Sequence, residues 1–256
     1  MISITILGSG NVAQNLFEAF LPQDSVSIVQ VVGRKLSGLG YFTGRTNLAT
    51  YGEELRPADV YIMAINDDAI RDVSNTLKIK GLLAHTSGSV PLSALNSHHS
   101  IGVFYPLQTF TAGKTLDFSN IPICVEASHA GDLELLHSLG AVVSSKVQTI
   151  PSYKRRALHL SAVFVNNFTN YMYGIGHEIC TENNLQFSLL QPLIKETAEK
   201  IMLVDPYEAQ TGPAKRGDQK TLHAHLSLLK DKNHREIYTL LSNSINASFQ
   251  IRKDKS

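Results

Sequence analysis

The sequence lacks the features that would carry a chain into a membrane or out of the cell. No run of about 18 apolar residues occurs, so nothing in it is suited to span a bilayer. Its start has no basic segment, apolar stretch and small-residue cleavage site in series, so no secretory leader is expected and a cytoplasmic location is. Cysteine is scarce: Cys124 falls in a predicted strand and Cys180 near the end of a predicted helix. Two cysteines without CxxC or Cys/His spacing exclude a disulfide framework and a zinc site, and leave two buried thiols in a reducing compartment. No metal is expected. Net charge is nearly absent as well, at +1 from 23 Lys and Arg against 22 Asp and Glu. Such a balance exerts no long-range pull on nucleic acid or an anionic membrane, and neither is expected as a partner. The short basic segments Lys154-Arg155-Arg156 and Arg252-Lys253-Asp254-Lys255 read as solvated. Asn167-Phe168-Thr169 and Asn246-Ala247-Ser248 match the glycosylation pattern by chance, given no export signal.

What is present is a chain of 256 residues, 43% hydrophobic and 18% charged, enough for one large domain or two modest ones with a packed core. Its first part alternates strand and helix signals. Strands are predicted at Ile2–Leu7, Val26–Val32, Thr46–Thr50, Asp59–Ile65, Gly81–His85, Ser100–Tyr105, Pro122–Glu126 and Ala141–Ile150. Helices are predicted at Val12–Phe20, Asp67–Leu77 and His129–Leu139, with a weaker segment over Lys35–Tyr41 and a short helix whose first turn holds Pro91. Asp59–Ile65 is almost continuously apolar, as a strand buried on both faces of a parallel sheet must be. The order implies an α/β fold: an open, mostly parallel, doubly wound Rossmann sheet with helices on both sides.

After Pro151 the strand signals stop. Helices are predicted from Tyr153 to about Asn183, then at Phe187–Val204 (with Pro192 tolerated near its first turn), Thr221–Leu229 and Glu236–Ile251. In the first of these, Leu158, Ala162, Val165, Phe168, Met172 and Ile179 fall near one stripe. Asp205–Gly217 reads as a loop on its prolines and glycines. The domain boundary is placed near 150, giving a nucleotide-binding domain over 1–150 and an all-helical domain over 151–256.

The chemistry begins at Gly8-Ser9-Gly10-Asn11-Val12-Ala13, a G-x-G-x-x-A turn between an apolar strand and an amphipathic helix. The first glycine permits the tight turn, the second lets backbone approach a pyrophosphate, and the small third residue lets helix and strand pack closely. Free N–H groups at the helix start then face the phosphates. An NAD-selective site would end the next strand in Asp or Glu to bind the ribose 2′-hydroxyl. Here that strand ends Val31-Val32-Gly33-Arg34-Lys35, which places two cations where a 2′-phosphate would lie. NADP is therefore favoured over NAD.

Three further loops would border the crevice. Asn66 and Asp67, after the continuous apolar strand, either cap the following helix or contact the cofactor. Thr86, Ser87, Gly88 and Ser89 form either an ordinary polar turn or a loop that binds a carboxylate or carbonyl oxygen. Ser87 has neither a G-x-S-x-G setting nor a legible triad, so a nucleophile is not expected. Tyr105 and Gln108 either pack or contact substrate; a phenol that titrates near 10 would serve as a hydrogen-bond donor.

In order, GSGNVA, VVGRK, AINDDAI, AHTSGS, FYPLQTF, ALHLSAVFVNNF and TGPAKRGD with HAHL resemble a bacterial group in which a Rossmann-like domain precedes a C-terminal domain of unknown function. That group is similar to pyrroline-5-carboxylate reductases and deazaflavin-linked NADP reductases, within the 6-phosphogluconate dehydrogenase-like superfamily. The resemblance spans nearly the whole chain. It implies an NADP-dependent oxidoreductase with a small-molecule substrate, whose helical domain dimerises and closes the active site; it implies no particular substrate. In that pattern a histidine opens the long helix of the second domain and an asparagine follows eight positions later, matching His159 and Asn167. Gly-Pro-x-x-Arg-Gly-Asp matches Gly212, Pro213, Arg216, Gly217 and Asp218, and a later histidine matches His225. One departure stands out: relatives often have His-Pro-Leu-Gln where this chain has Tyr105-Pro106-Leu107-Gln108.

These observations converge on hydride transfer between a nicotinamide and a C=N or C=O group of a small molecule. Gly8, Ser9, Gly10, Asn11, Val12 and Ala13 hold the pyrophosphate, and Arg34 and Lys35 the 2′-phosphate. His159 is the proton donor, Asn167 orients substrate and Arg216 holds an anionic group, unless Arg216 only pairs with Asp218. The helical domain has more apolar faces than its size can bury, so a homodimer is expected. Two other readings remain open: a non-catalytic NADP sensor, which Tyr105 favours, and an assembly protein on an emptied Rossmann fold.

Overall fold

The computed structural model describes residues 1–96 and 98–253, with side chains through Gln250. The basic tail at Arg252–Lys255 lies outside the described side chains. The chain forms two compact units, Met1–Asn166 and Asn167–Ser256. The division falls later than the boundary near 150, because the first helix after the sheet belongs to the first unit.

The first unit is built on eight strands: β1 Ile2–Leu7, β2 Val26–Gly33, β3 Leu48–Thr50, β4 Val60–Met63, β5 Leu82–His85, β6 Ile101–Pro106, β7 Ile123–Ala127 and β8 Val147–Thr149. Their order in the sheet is β3-β2-β1-β4-β5-β6-β7-β8. All neighbours are parallel except β6 and β7. Strand order reverses between β1 and β4, and that is where a doubly wound sheet opens its ligand crevice. The helices of this unit are α1 Asn11–Phe20, α2 Ile70–Thr76, α3 Ala130–Val143 and α4 Ser152–Ala162, with 3₁₀ turns at Leu36–Phe42, Asp67–Ala69 and Leu92–Ala94.

Strand alternation distributes side chains to two faces. Ile4 and Ile6 join Leu16, Phe17, Phe20 and Phe104 in one core, while Leu7 joins Val32, Tyr61, Met63 and Leu83 in the other. Burying one strand side chain such as Ile6 completely stabilises the fold by about 1.5–3 kcal/mol. The same alternation in β6 sends Val103 and Tyr105 to a smaller cluster with Cys124, backed by Leu158.

Three local expectations are corrected. The strand expected at Ala141–Ile150 is only Val147–Thr149, because α3 runs on to Val143. Leu139 and Gly140 are buried there, and a Cβ on Gly140 would touch Val147 at 3.0 Å, so packing overrides the β preference of the valines. Pro91 precedes its short 3₁₀ turn instead of occupying the first turn. Finally, Asp205–Gly217 holds two helical turns, α7 Pro206–Ala209 and α8 Pro213–Arg216, each with proline at its first position.

A π-helical turn spans Val163–Phe168. The second unit continues with α5 Thr169–Glu182, α6 Gln191–Lys200, α9 Gln219–Leu228 and α10 Lys232–Lys253. Few of its side chains are buried, Cys180, Ala214 and Leu222 among them. Both cysteines of the chain are buried and unpaired. Of the apolar stripe, Leu158, Ala162 and Met172 are half-buried, while Val165, Phe168 and Ile179 are exposed. Leu189, Leu193, Met202, Leu203 and Leu240 are exposed as well. Among the described residues no helix is long and apolar enough to cross a membrane.

Candidate active site

The turn from β1 into α1 has the geometry that its glycines predict. Gly8 sits at φ +134°, and a Cβ there would lie 2.1 Å from the Ala64 carbonyl oxygen, so no other residue fits. Gly10 caps α1 with extended backbone and no side-chain cap, and a Cβ on it would meet nothing within 4 Å. The start of α1 is thus open, with its first-turn amides left for a ligand's oxygens. Ala13 is fully buried against the sheet. Asn11 is half-buried, and its side-chain amide donates to the Phe110 carbonyl at 3.0 Å. These features fit a dinucleotide pyrophosphate.

Arg34 and Lys35 are exposed at the end of β2, and among the described residues neither makes an ion pair or a side-chain hydrogen bond. Burial pushes the Tyr51 phenol up, and the Arg34 charge pulls it the other way, which places Arg34 beside that ring.

The loops after β4 and β5 meet. Asn66 is exposed and does not cap the helix after it. Asp67 does not cap it either: its carboxylate accepts from Ser89 Oγ at 2.5 Å. Ser87 is buried, and its hydroxyl is occupied by the backbone N–H groups of Ser89 at 3.1 Å and Val90 at 3.0 Å. Gly88 between them is the tightest point of the site. A Cβ there would lie 2.6 Å from His159 Nδ1 and 2.8 Å from Tyr105 Cζ.

Tyr105 and His159 form a pair. The Tyr105 hydroxyl lies 3.1 Å from His159 Nδ1, and the rings meet edge-on with centroids 6.1 Å apart. Tyr105 is 8% exposed, and burial pushes its phenol up to about 12; neighbouring Cys124 and Asp67 act in the same direction and Arg155 against it. Gln108 is turned to its own loop, accepting from the Thr109 N–H at 2.8 Å.

Arg155 corrects the reading of the 154–156 segment as solvated. It is fully buried, ion-paired with Glu126, and donates to the Val90 carbonyl at 2.6 Å and to Ser152 Oγ at 3.2 Å. Ser152 in turn donates to Glu126 through its backbone N–H at 3.0 Å and its hydroxyl at 2.7 Å. This network bolts the start of α4 to the 87–92 loop, and His159 stands one helical turn beyond Arg155 on the same face. A signal was present in the sequence: Arg155, Leu158 and Ala162 share helical spacing, so the arginine lies on the inward stripe. His85 is the other group missed. It is fully buried at the end of β5, its Nδ1 accepts from the Ser87 N–H at 3.2 Å, and its Nε2 has no hydrogen-bond partner among the described residues. Burial first, and the Arg155 charge second, depress it to about 4.

Asn167 and Arg216 belong to the second unit. Asn167 is exposed in the π-helical turn, a distortion often found at functional sites. Arg216 is exposed at the end of α8, which Gly212 at φ +104° and Gly217 at φ +71° bracket. Asp218 is not spent on Arg216: it caps α9, accepting from the Thr221 N–H at 3.1 Å and hydroxyl at 2.7 Å, and these bonds hold its carboxyl below the usual range. His225 pairs through Nδ1 with the Tyr238 hydroxyl at 2.8 Å.

The sheet order, the glycine turn and the polar loops beside it define a Rossmann-type dinucleotide-binding protein with an appended helical unit. A family model described as a domain of unknown function (DUF2520) matches residues 121–245. Among solved structures, BF3122 from Bacteroides fragilis, a candidate NADP oxidoreductase by its name, is 34% identical. The match covers 96% of this chain and 98% of that one, with a TM-score of 0.87. The chain therefore belongs to the family of Rossmann-like oxidoreductases that carry this C-terminal domain. Protein TM1727 from Thermotoga maritima, 20% identical over 98% of this chain and 99% of its own, has the same fold at a TM-score of 0.73. So does a reductive aminase from Aspergillus terreus in complex with NADPH and ethyl levulinate, 12% identical over 98% and 94%, at 0.65. No curated protein matches the chain.

Proposed function

We propose that the chain is an NADP-dependent oxidoreductase that moves a hydride between the nicotinamide and a C=N or C=O carbon of a small molecule, with His159 as proton donor. One chain of contacts carries this reading. Gly8 presses on Ala64 beneath an open helix start; three residues on, Asp67 holds Ser89; and Gly88 beside it packs on Tyr105 and His159. The pyrophosphate cradle and a Tyr–His pair thus line the carboxyl ends of consecutive strands within one unit. The NADPH bound by the Aspergillus enzyme of like fold supports the cofactor.

When bound, NADPH supplies the hydride. The first-turn amides of α1 hold the pyrophosphate, and Arg34 and Lys35 meet the 2′-phosphate. An imidazole has one nitrogen that can give a proton and one that can take one, which suits His159 to proton transfer. Asn167 and Arg216 enter from the sequence motif alone, as substrate-orienting and anion-holding groups. The exposed leucines of the second unit support a homodimer, which light scattering tests directly.

Titration calorimetry on the full chain tests the core of the proposal. NADPH should release heat, and Arg34→Ala should weaken NADPH by about tenfold or more while leaving NADH unchanged. No heat with either cofactor at millimolar concentration refutes it. Cofactor binding with no loss of NADPH absorbance across imines, 2-oxo acids and aldehydes would instead establish a sensor.

A further inference from the structure

We propose that Tyr105 is the positioning residue of this site: its phenol donates to Nδ1 of His159 and so fixes the imidazole proton on Nε2, the atom from which a proton leaves for the substrate. The inference rests on His159 as proton donor and adds which of its two nitrogens acts, and why.

A neutral imidazole carries one N–H and one acceptor nitrogen, and its partner decides which is which. At 3.1 Å, the Tyr105–His159 contact has two possible polarities. The phenol of Tyr105 keeps its proton, buried as it is among Val103, Cys124 and Leu158, and that proton needs an acceptor. The charged and titratable groups acting on it are Cys124 and Asp67, which favour the protonated form, and Arg155, which opposes it. Among the described residues Nδ1 is the one hydrogen-bond partner of that hydroxyl, so a phenol that accepted from Nδ1 would leave its own proton unbonded; the phenol donates, Nδ1 accepts, and the ring's proton is on Nε2. As Nε2 gives its proton to the substrate, the phenol's proton passes to Nδ1, so the ring stays neutral and the negative charge rests on the Tyr105 oxygen until solvent returns a proton.

The pair is held from three sides. Pairing with β7 sets Tyr105 opposite Cys124. The Arg155–Glu126–Ser152 network fixes α4 one turn below His159. Gly88 closes the third side so tightly that any side chain would strike both rings. The glycine lets the loop pass while the hydroxyl and nitrogen keep hydrogen-bonding distance.

Nitrogen NMR on the histidine-labelled full chain, free of cofactor and substrate at about pH 8, tests this above the ordinary imidazole range. His159→Gln assigns the signals. The expected spectrum has a proton bonded to Nε2, an unprotonated Nδ1, and the Tyr105 hydroxyl proton coupled to Nδ1. In Tyr105→Phe the hydroxyl signal vanishes and the Nδ1 resonance moves to the unbonded position. With a turned-over substrate, kcat of that variant should fall about tenfold with KM held within about twofold. A wild-type spectrum with the proton on Nδ1 overturns the proposal, whether or not the variant folds. So does an Nδ1 resonance that Tyr105→Phe leaves in place. Full turnover in His159→Gln would sink the donor assignment separately and leave the tautomer result standing.

Discussion

Replacing Arg155 with methionine should destabilise the first unit far more than the same change on either side of it. Arg155 is fully buried, while Lys154 and Arg156 are exposed. The substitution strands the Glu126 carboxylate without its cation and takes a donor from the Val90 carbonyl. Removing one partner of a buried pair costs about 3–5 kcal/mol. Glu126 retains 16% side-chain exposure and both bonds from Ser152, so the lower end of that range applies, about 3 kcal/mol. For a unit of this size that lowers the melting midpoint by about 6–12 °C. Lys154→Met and Arg156→Met should each change stability by no more than about 0.5 kcal/mol. Thermal melting of the three variants is the assay. Removing both charges with Arg155→Met and Glu126→Leu should recover part of the loss, because the uncompensated carboxylate goes with its partner. An Arg155→Met protein that melts within about 1 °C of wild type would refute the buried-pair account.

His85 should make the protein acid-sensitive. Its ring stays neutral in the fold down to about 4, while the unfolded chain takes up a proton near the ordinary 6.5. Its contribution is full above about pH 6.5 and is lost as pH falls toward 4, amounting to about 3 kcal/mol, and urea midpoints should show that slope flattened in His85→Gln. Gly8→Ala combines left-handed backbone with a 2.1 Å approach to a carbonyl, so it should cost about 3 kcal/mol or more and abolish the calorimetric response to NADPH. A variant that melts and binds like wild type would show that this turn is not the cofactor's seat.

The elements legible in the sequence were those that local pattern dictates. Seven of the eight strands, β1 to β7, lie close to their predicted spans, because continuous apolar runs bounded by glycine, proline or polar turns have few other uses. The β8 segment failed where Val142 and Val143, good strand formers, were drawn into α3 by contacts on the core. Asn66 and Asp67 have the side chains of helix caps, yet Asp67 is spent on Ser89 across a loop, a partner 22 residues away that no local rule supplies. The cradle at Gly8 and Gly10 was visible because three spaced small residues between a strand and a helix form a local signature. The Tyr105–His159 pair was not, since 54 residues separate its members.

By itself, the sequence determined a doubly wound sheet with a glycine turn at its first crossover and a helical segment after it. Those properties follow from period, turn chemistry and residue size, all local quantities. Tertiary structure alone decided that Arg155 is a buried ion-pair partner and not a solvated cation, that His85 is neutral, and that His159 meets a phenol over Gly88. Each of those depends on which remote side chains share a low-dielectric space. Burial and charge pairing there reverse what composition suggests, and they are set only when β5, β6, β7 and α4 come together.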